Sequence, residues 1–221
     1  MRCVIFDLDG TLADTSGDLI AAANHCLAEM GAATRLDPAR DAGTALRGGR
    51  AMLRLGLSRE TGEADEAVID QWYQPLLRAY EDNIAEHTVF YPGALDAVER
   101  LRSNGYAVGI CTNKPEGLAE QLMHTLGARS LFHSLIGADT LPVRKPDPAP
   151  FWAAVEGAGG HRDAAMLVGD TETDRNTARA AGRPCLLVTF GPGGGDMAAL
   201  DPEGLLSGYD RLDDAVAALI G

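Results

Sequence analysis

Phe6-Asp7-Leu8-Asp9-Gly10-Thr11-Leu12 is the stretch on which the reading of this chain turns. It leaves the apolar run Cys3 to Phe6 and sets two carboxylates two residues apart. In extended geometry Asp7 and Asp9 share one side, with Leu8 opposite. Like charges that close need a reason. A helix cap is one, because aspartate accepts hydrogen bonds well at a helix start. The pair by itself leaves capping and chemistry both open.

Further along, short β-rich apolar runs recur at Tyr106 to Cys111, Leu131 to Ile136, Ala165 to Val168 and Cys185 to Val188, with helix-like stretches between most of them. Runs apolar on both faces belong to a parallel sheet covered by helices on each side, so the expectation is an α/β fold with a Rossmann-like parallel core. Prolines mark helix starts at Pro92, after Lys114-Pro115 and after Asp147-Pro148; Gly105, Gly127 and Gly182 mark stops or turns. One interval breaks the rhythm. Roughly 80 residues separate Asp9 from the helix near Pro92, far more than a single crossover needs. Residues 15–86 read as helices, for example Asp18 to Met30 and Glu63 to Tyr80, interrupted at Gly31, Asp37-Pro38 and Gly48-Gly49. The expected division is a core of residues 1–14 and 87–221 with an inserted α-helical domain at 15–86, entered and left near the end of the first strand. Open α/β sheets place their active sites at such strand ends.

Composition narrows the classes. The 221 residues are 46% hydrophobic, enough for a packed core, and 19 Lys and Arg against 32 Asp and Glu give a net charge of −13. That balance repels polyanions, so nucleic acid is not an expected partner. No signal-like or membrane-length apolar run of ~20 residues occurs, which points to a cytoplasmic protein without membrane association. The four cysteines include no C-x-x-C pair, and Cys3, Cys111 and Cys185 sit in strand-like runs as expected core thiols. The five histidines are dispersed without metal-ligand spacing. Gly191-Pro-Gly-Gly-Gly195 reads as a flexible loop.

Three more short segments follow strand ends. Thr112-Asn113 follows the second, Lys145-Pro146 lies in a loop after the third, and Gly169-Asp170-Thr-Glu-Thr-Asp174 follows the fourth. Each alone fits a helix cap or a solvated charge; together, in order, they form a pattern. With Asp7-Leu-Asp-Gly-Thr11, the chain resembles the haloacid dehalogenase-type phosphatase superfamily over essentially its whole length, within the group whose helical cap domain follows the first strand. The resemblance implies Mg²⁺ held by the Asp7 carboxylate, the Asp9 carbonyl and the Asp170 carboxylate, with Asp174 behind them. It also implies Asp7 as nucleophile, Asp9 as proton donor and acceptor, and Thr112 and Lys145 on the transferring phosphoryl group.

Elementary chemistry gives the same residues work to do. A phosphate monoester dianion is inert and would be repelled by bare carboxylates, so a hard dication on oxygen ligands suits the site. A carboxylate nucleophile then forms an aspartyl-phosphate that water hydrolyses. Lys145 and Thr112 stabilise the phosphoryl oxygens, with Thr11 and Asn113 as further contacts.

Asp9 separates this chain from dehalogenases, whose leaving halide needs no acid. The absence of lysine from residues 15–86 speaks against a phosphonatase and weighs against a β-phosphoglucomutase-like phosphomutase. Within the superfamily, Asp7-Leu-Asp-Gly-Thr-Leu-Ala-Asp-Thr15 and Thr189-Phe-Gly191 resemble the phosphoglycolate phosphatases. The expected partner is therefore a small phosphorylated metabolite such as 2-phosphoglycolate. The mutase, or a phosphatase of another sugar phosphate or a nucleotide, is the alternative. Arg47 and Arg50, in Leu46-Arg-Gly-Gly-Arg50, are candidates to bind a substrate carboxylate, although exposed arginines also serve as plain surface. Oligomeric state is not legible.

Overall fold

The computed structural model describes residues 1–192 and 196–221. Its strands are β1 (Cys3–Phe6), β2 (Ala13–Asp14), β3 (Val89–Phe90), β4 (Ala107–Cys111), β5 (Ser134–Ile136), β6 (Ala165–Gly169), β7 (Cys185–Val188) and β8 (Gly204–Leu206). Its helices are α1 (Ser16–Glu29), α2 (Pro38–Ala45), α3 (Gly49–Thr61), α4 (Glu66–Asp82), α5 (Ala94–Ser103), α6 (Glu116–Thr125), α7 (Ala149–Gly157), α8 (Glu172–Ala180) and α9 (Leu212–Ile220). The chain divides into two compact units, one of Met1–Ala13 with Phe90–Gly221 and one of Asp14–Val89. The Gly191–Gly195 loop expectation lies partly outside the described residues, at 193–195.

The first unit is an α/β core. Six parallel strands run in the order β5-β4-β1-β6-β7-β8, with Phe6 registered between Ile110 and Val168. Strands β1, β4, β6 and β7 are buried along their full length, as their unbroken apolar sequences require when helices cover both faces. One face packs Phe151, Ala154 and Val155 of α7 on Cys3, Ile5, Ala107 and Leu167. Strand order reverses at β1: the chain builds outward on one side through β4 and β5, then on the other through β6 to β8. Such a reversal opens a crevice beyond the carboxyl ends of the strands.

Two elements differ from the sequence reading. The run Leu131 to Ile136 yields only three strand residues. Arg129–Leu131 is a 3-10 turn, and Phe132 turns its ring edge-on to Phe6 at 6.4 Å, so its apolar character serves packing instead of pairing. Strand β8 carries no β-branched run; its place beside β7 comes from backbone pairing and the burial of Leu206.

The second unit is helical throughout α1 to α4. Two of the three breaks read from the sequence here, Asp37-Pro38 and Gly48-Gly49, are helix starts, and Gly31 follows a helix end. Asp37 accepts the Ala39 N–H at 2.8 Å ahead of Pro38, and Asp65 does the same for Ala67 at 2.8 Å. Gly62, at φ +86°, ends α3 in the left-handed conformation that a side chain resists. Two buried carboxylates fix the packing. Asp18 accepts from His87 N, Thr88 N and Thr88 Oγ1 at 2.6–3.0 Å, and Asp41 takes a bidentate pair from Arg59 at 2.7 Å. Among the described residues no helix is long and apolar enough to cross a membrane.

Candidate active site

All of the site described below belongs to the α/β core. Strand β1 ends at Phe6, and Asp7 stays in the ladder through its N–H to the Val168 carbonyl at 2.8 Å. The chain then turns tightly. The Leu8 carbonyl accepts from the N–H groups of Thr11, Leu12 and Ala13 at 3.0–3.3 Å, and Gly10 takes φ +81° to allow it. Asp7 Oδ1 accepts the Leu8 N–H at 2.7 Å, which orients the carboxylate at the strand tip. Thr11 Oγ1 donates to Asp170 Oδ1 at 2.9 Å, joining the first loop to the one after β6. Tyr209, which the sequence reading did not single out, donates its hydroxyl to the Thr11 carbonyl at 2.8 Å.

Lys145 is buried and bridges two carboxylates, with Nζ 2.6 Å from Asp174 Oδ1 and 3.1 Å from Asp7 Oδ1. Asp174 is fully committed. Its second oxygen accepts from Asp170 N, Thr171 N and Thr171 Oγ1, closing a capping box on α8. Gly169 is required beside it, since a Cβ there would sit 2.4 Å from Asp174 Cβ. Carboxylate oxygens of Asp7, Asp170 and Asp174 gather within 4.8 Å of one another, all three residues buried.

Burial, and after it that crowding of charge, shifts the acids and the lysine. Burial pushes the Asp7 carboxyl up to about 7; Lys145 opposes the rise, and the charges of Asp174 and Asp9 add to it. Asp170 is raised well above the carboxylate range by burial and then by Asp174 and Asp7. For Lys145, burial works to lower the ammonium, and Asp174 and Asp7 together outweigh it, holding it above the ordinary lysine range. Three buried carboxylates share one ammonium in this group, and hard oxygen donors with surplus negative charge fit a dication such as Mg²⁺. Asp174 already spends both oxygens on Lys145 and the α8 start, which leaves Asp7 and Asp170 as the carboxylates fitted to hold a metal.

Thr112 follows β4, its N–H on the Ile136 carbonyl at 2.9 Å and its Oγ1 accepting the Lys114 N–H at 3.1 Å. Asn113 directs its amide to the Lys145 carbonyl at 3.1 Å, so it braces the lysine loop. Asp9 meets a residue that the sequence reading used only as a helix start: Lys114 Nζ lies 2.9 Å from Asp9 Oδ1. Its only sequence signal was position, directly after Thr112-Asn113.

Arg47 and Arg50 belong to the helical unit. Arg47 is exposed on the turn between α2 and α3 and makes no ion pair among the described residues. Arg50 is committed to Asp70 at 2.5 Å and stacks over Tyr73 at 4.7 Å.

Fold and site together define a hydrolase class built on strand-end aspartates. A model of the haloacid dehalogenase-like hydrolase family matches residues 4–188, and the chain belongs to that family. Among its relatives, a phosphoglycolate phosphatase of Mesorhizobium japonicum is 37% identical over 95% of this chain and 92% of its own length. Another of that name, from Cereibacter sphaeroides, is 39% identical over the whole of both chains. A crystal structure of a predicted phosphoglycolate phosphatase from Haemophilus somnus shares the fold, with a TM-score of 0.84 at 23% identity over 97% of each chain.

Proposed function

We propose that this chain is a Mg²⁺-dependent phosphomonoesterase that hydrolyses a small phosphorylated metabolite, 2-phosphoglycolate above others, through an aspartyl-phosphate on Asp7. The observation that carries the reading is the buried Asp7–Lys145–Asp174 bridge beside Asp170, with Asp9 held apart on Lys114. The substrate choice follows the names of full-length relatives at 37–39% identity.

Held by Asp7, Asp170 and the Asp9 carbonyl, Mg²⁺ would neutralise the phosphate and the carboxylates that face it. Lys145 keeps Asp7 oriented while donating to phosphoryl oxygens, and the Thr112 hydroxyl adds a second donor. An Asp7 carboxylate oxygen attacks phosphorus as the ester P–O bond breaks, and Asp9 gives its proton to the departing alkoxide. Water then attacks the phosphoryl group, Asp9 takes back a proton, and the P–O bond to Asp7 breaks with release of inorganic phosphate. Asp174 keeps Lys145 and the Asp170 loop in place throughout.

The helical unit is proposed as a lid that excludes water from this chemistry. The protein is proposed to work in the cytoplasm. Phosphate release from 2-phosphoglycolate with Mg²⁺ tests the reading. It should be robust in the parent, lost on chelation and abolished in Asp7→Asn; retained turnover in that variant would overturn it.

A further inference from the structure

The sequence contains two lysines, Lys114 and Lys145, among 19 Lys and Arg residues. Both are buried, and both lie in the site: Lys145 on Asp7 and Asp174, Lys114 on Asp9. A compact ammonium on a flexible stem can trade one oxygen partner for another in a small space, where a guanidinium fork needs a planar partner. The two lysines are divided between the two ends of the reaction. Phosphoryl transfer places the attacking and leaving oxygens on opposite sides of phosphorus, so Lys145, bound to the nucleophile, stands at the attacking end. Asp9, as proton donor, must lie within hydrogen-bond reach of the leaving oxygen. Lys114, 2.9 Å from Asp9 Oδ1, therefore stands at the leaving end.

We infer that Lys114 is the residue that recognises the leaving group, and that it selects phosphate esters whose alcohol carries a carboxylate close to the ester oxygen. The inference rests on the phosphatase reading above and gives that site its substrate class. In 2-phosphoglycolate one methylene separates the ester oxygen from the carboxylate carbon. A group bonded to the proton donor of that oxygen therefore stands on the side of phosphorus that the carboxylate occupies. The lysine is held for the task. Its N–H is bound to Thr112 Oγ1 at 3.1 Å, its carbonyl accepts from Ala138 N at 2.9 Å, and its side chain is 4% exposed. A charge fixed in that way loses little freedom when it captures an anion. Arg50 is paired too, with Asp70, but its side chain is half-exposed and not fixed in the site.

The test is the ratio of kcat/KM for 2-phosphoglycolate to that for ethyl phosphate, which lacks the carboxylate. Any effect of Lys114 through Asp9 falls on both esters and cancels in the ratio. The parent should favour 2-phosphoglycolate at least roughly tenfold, and Lys114→Met should reduce the ratio by about 10- to 100-fold, the range for a charged hydrogen bond. A ratio that survives in Lys114→Met overturns the assignment, whatever happens to the absolute rates. Should that variant fail to fold, the parent still decides: an enzyme that hydrolyses both esters without preference overturns it too. A parent that hydrolyses neither ester with Mg²⁺ sinks the phosphatase reading itself, and the assignment falls with it.

Discussion

Replacing Asp7, the proposed nucleophile, should make the metal-free protein more stable. Asp7, Asp170 and Asp174 bring three buried carboxylates to the ammonium of Lys145, and burial, against Lys145 and with Asp174 and Asp9, raises the Asp7 carboxyl from 3.8 to about 7. A carboxyl raised by folding favours the folded state while it is protonated. Its contribution is complete below about 3.8 and is lost as pH rises through about 7. At about pH 8 the ionised Asp7 thus costs the fold on the order of 4 kcal/mol. Asparagine does not ionise, and its amide oxygen can still accept from Lys145. With a chelator at that pH, Asp7→Asn should exceed the parent by about 2–4 kcal/mol, or about 5–15 °C in the melt of the core. Near pH 5, where the folded parent's Asp7 carries its proton while the unfolded chain's carboxyl is still largely ionised, the gain should shrink to less than half, about 1–2 kcal/mol. Millimolar Mg²⁺ should stabilise the parent more than the variant, because ligand binding to the native state adds RT ln(1 + [L]/Kd). Circular-dichroism melts at the two pH values, with chelator and with Mg²⁺, measure all three. A variant that melts below the parent in chelator at about pH 8, or a gain that is the same at both pH values, would refute the reasoning.

Asp9→Asn should lower phosphate release from 2-phosphoglycolate by about 10²- to 10⁴-fold in a colorimetric assay, the usual worth of a positioned acid and base. Gly169→Ala drives a Cβ into Asp174, 2.4 Å away, and should disturb the brace of Lys145; kcat is expected to fall at least roughly tenfold, with a loss of about 1–3 kcal/mol in urea unfolding. Asp41→Asn removes the bidentate acceptor of Arg59 and should destabilise the helical unit by on the order of 1–3 kcal/mol. Hydrogen bonds from Arg59 hold the Asp41 carboxyl below its usual value, so its contribution is present above about pH 4 and is lost as pH falls through the lowered value. Urea titrations at descending pH should show that slope in the parent and not in Asp41→Asn.

The sheet was legible because its strands are buried on both faces, and such strands must be apolar throughout: Cys3 to Phe6, Ala165 to Val168 and Cys185 to Val188 announce themselves. Edge strands have no such obligation. Leu131 and Phe132 therefore looked like strand and were not, while Gly204–Leu206 was strand without looking like it. Asp7, Thr112 and Asp170 stood out for a related reason, since each directly follows a strand and a parallel sheet delivers such residues to one edge.

What the sequence determined by itself is this order of strands and strand-end residues, together with the family pattern they spell. Which charge meets which was left to the tertiary structure. Thr11 and Asp170 are 159 residues apart, and Asp9 and Lys114 are 105 apart. Local periodicity carries no information across such distances; only the assembled sheet decides that Asp174 is spent on Lys145, and only the packing of α3 on α4 that Arg50 is spent on Asp70. Lys114 shows the difference most plainly. In the sequence it is a residue before a helix-starting proline, and in the fold it is the ammonium at Asp9, because parallel pairing sets the ends of β1 and β4 side by side.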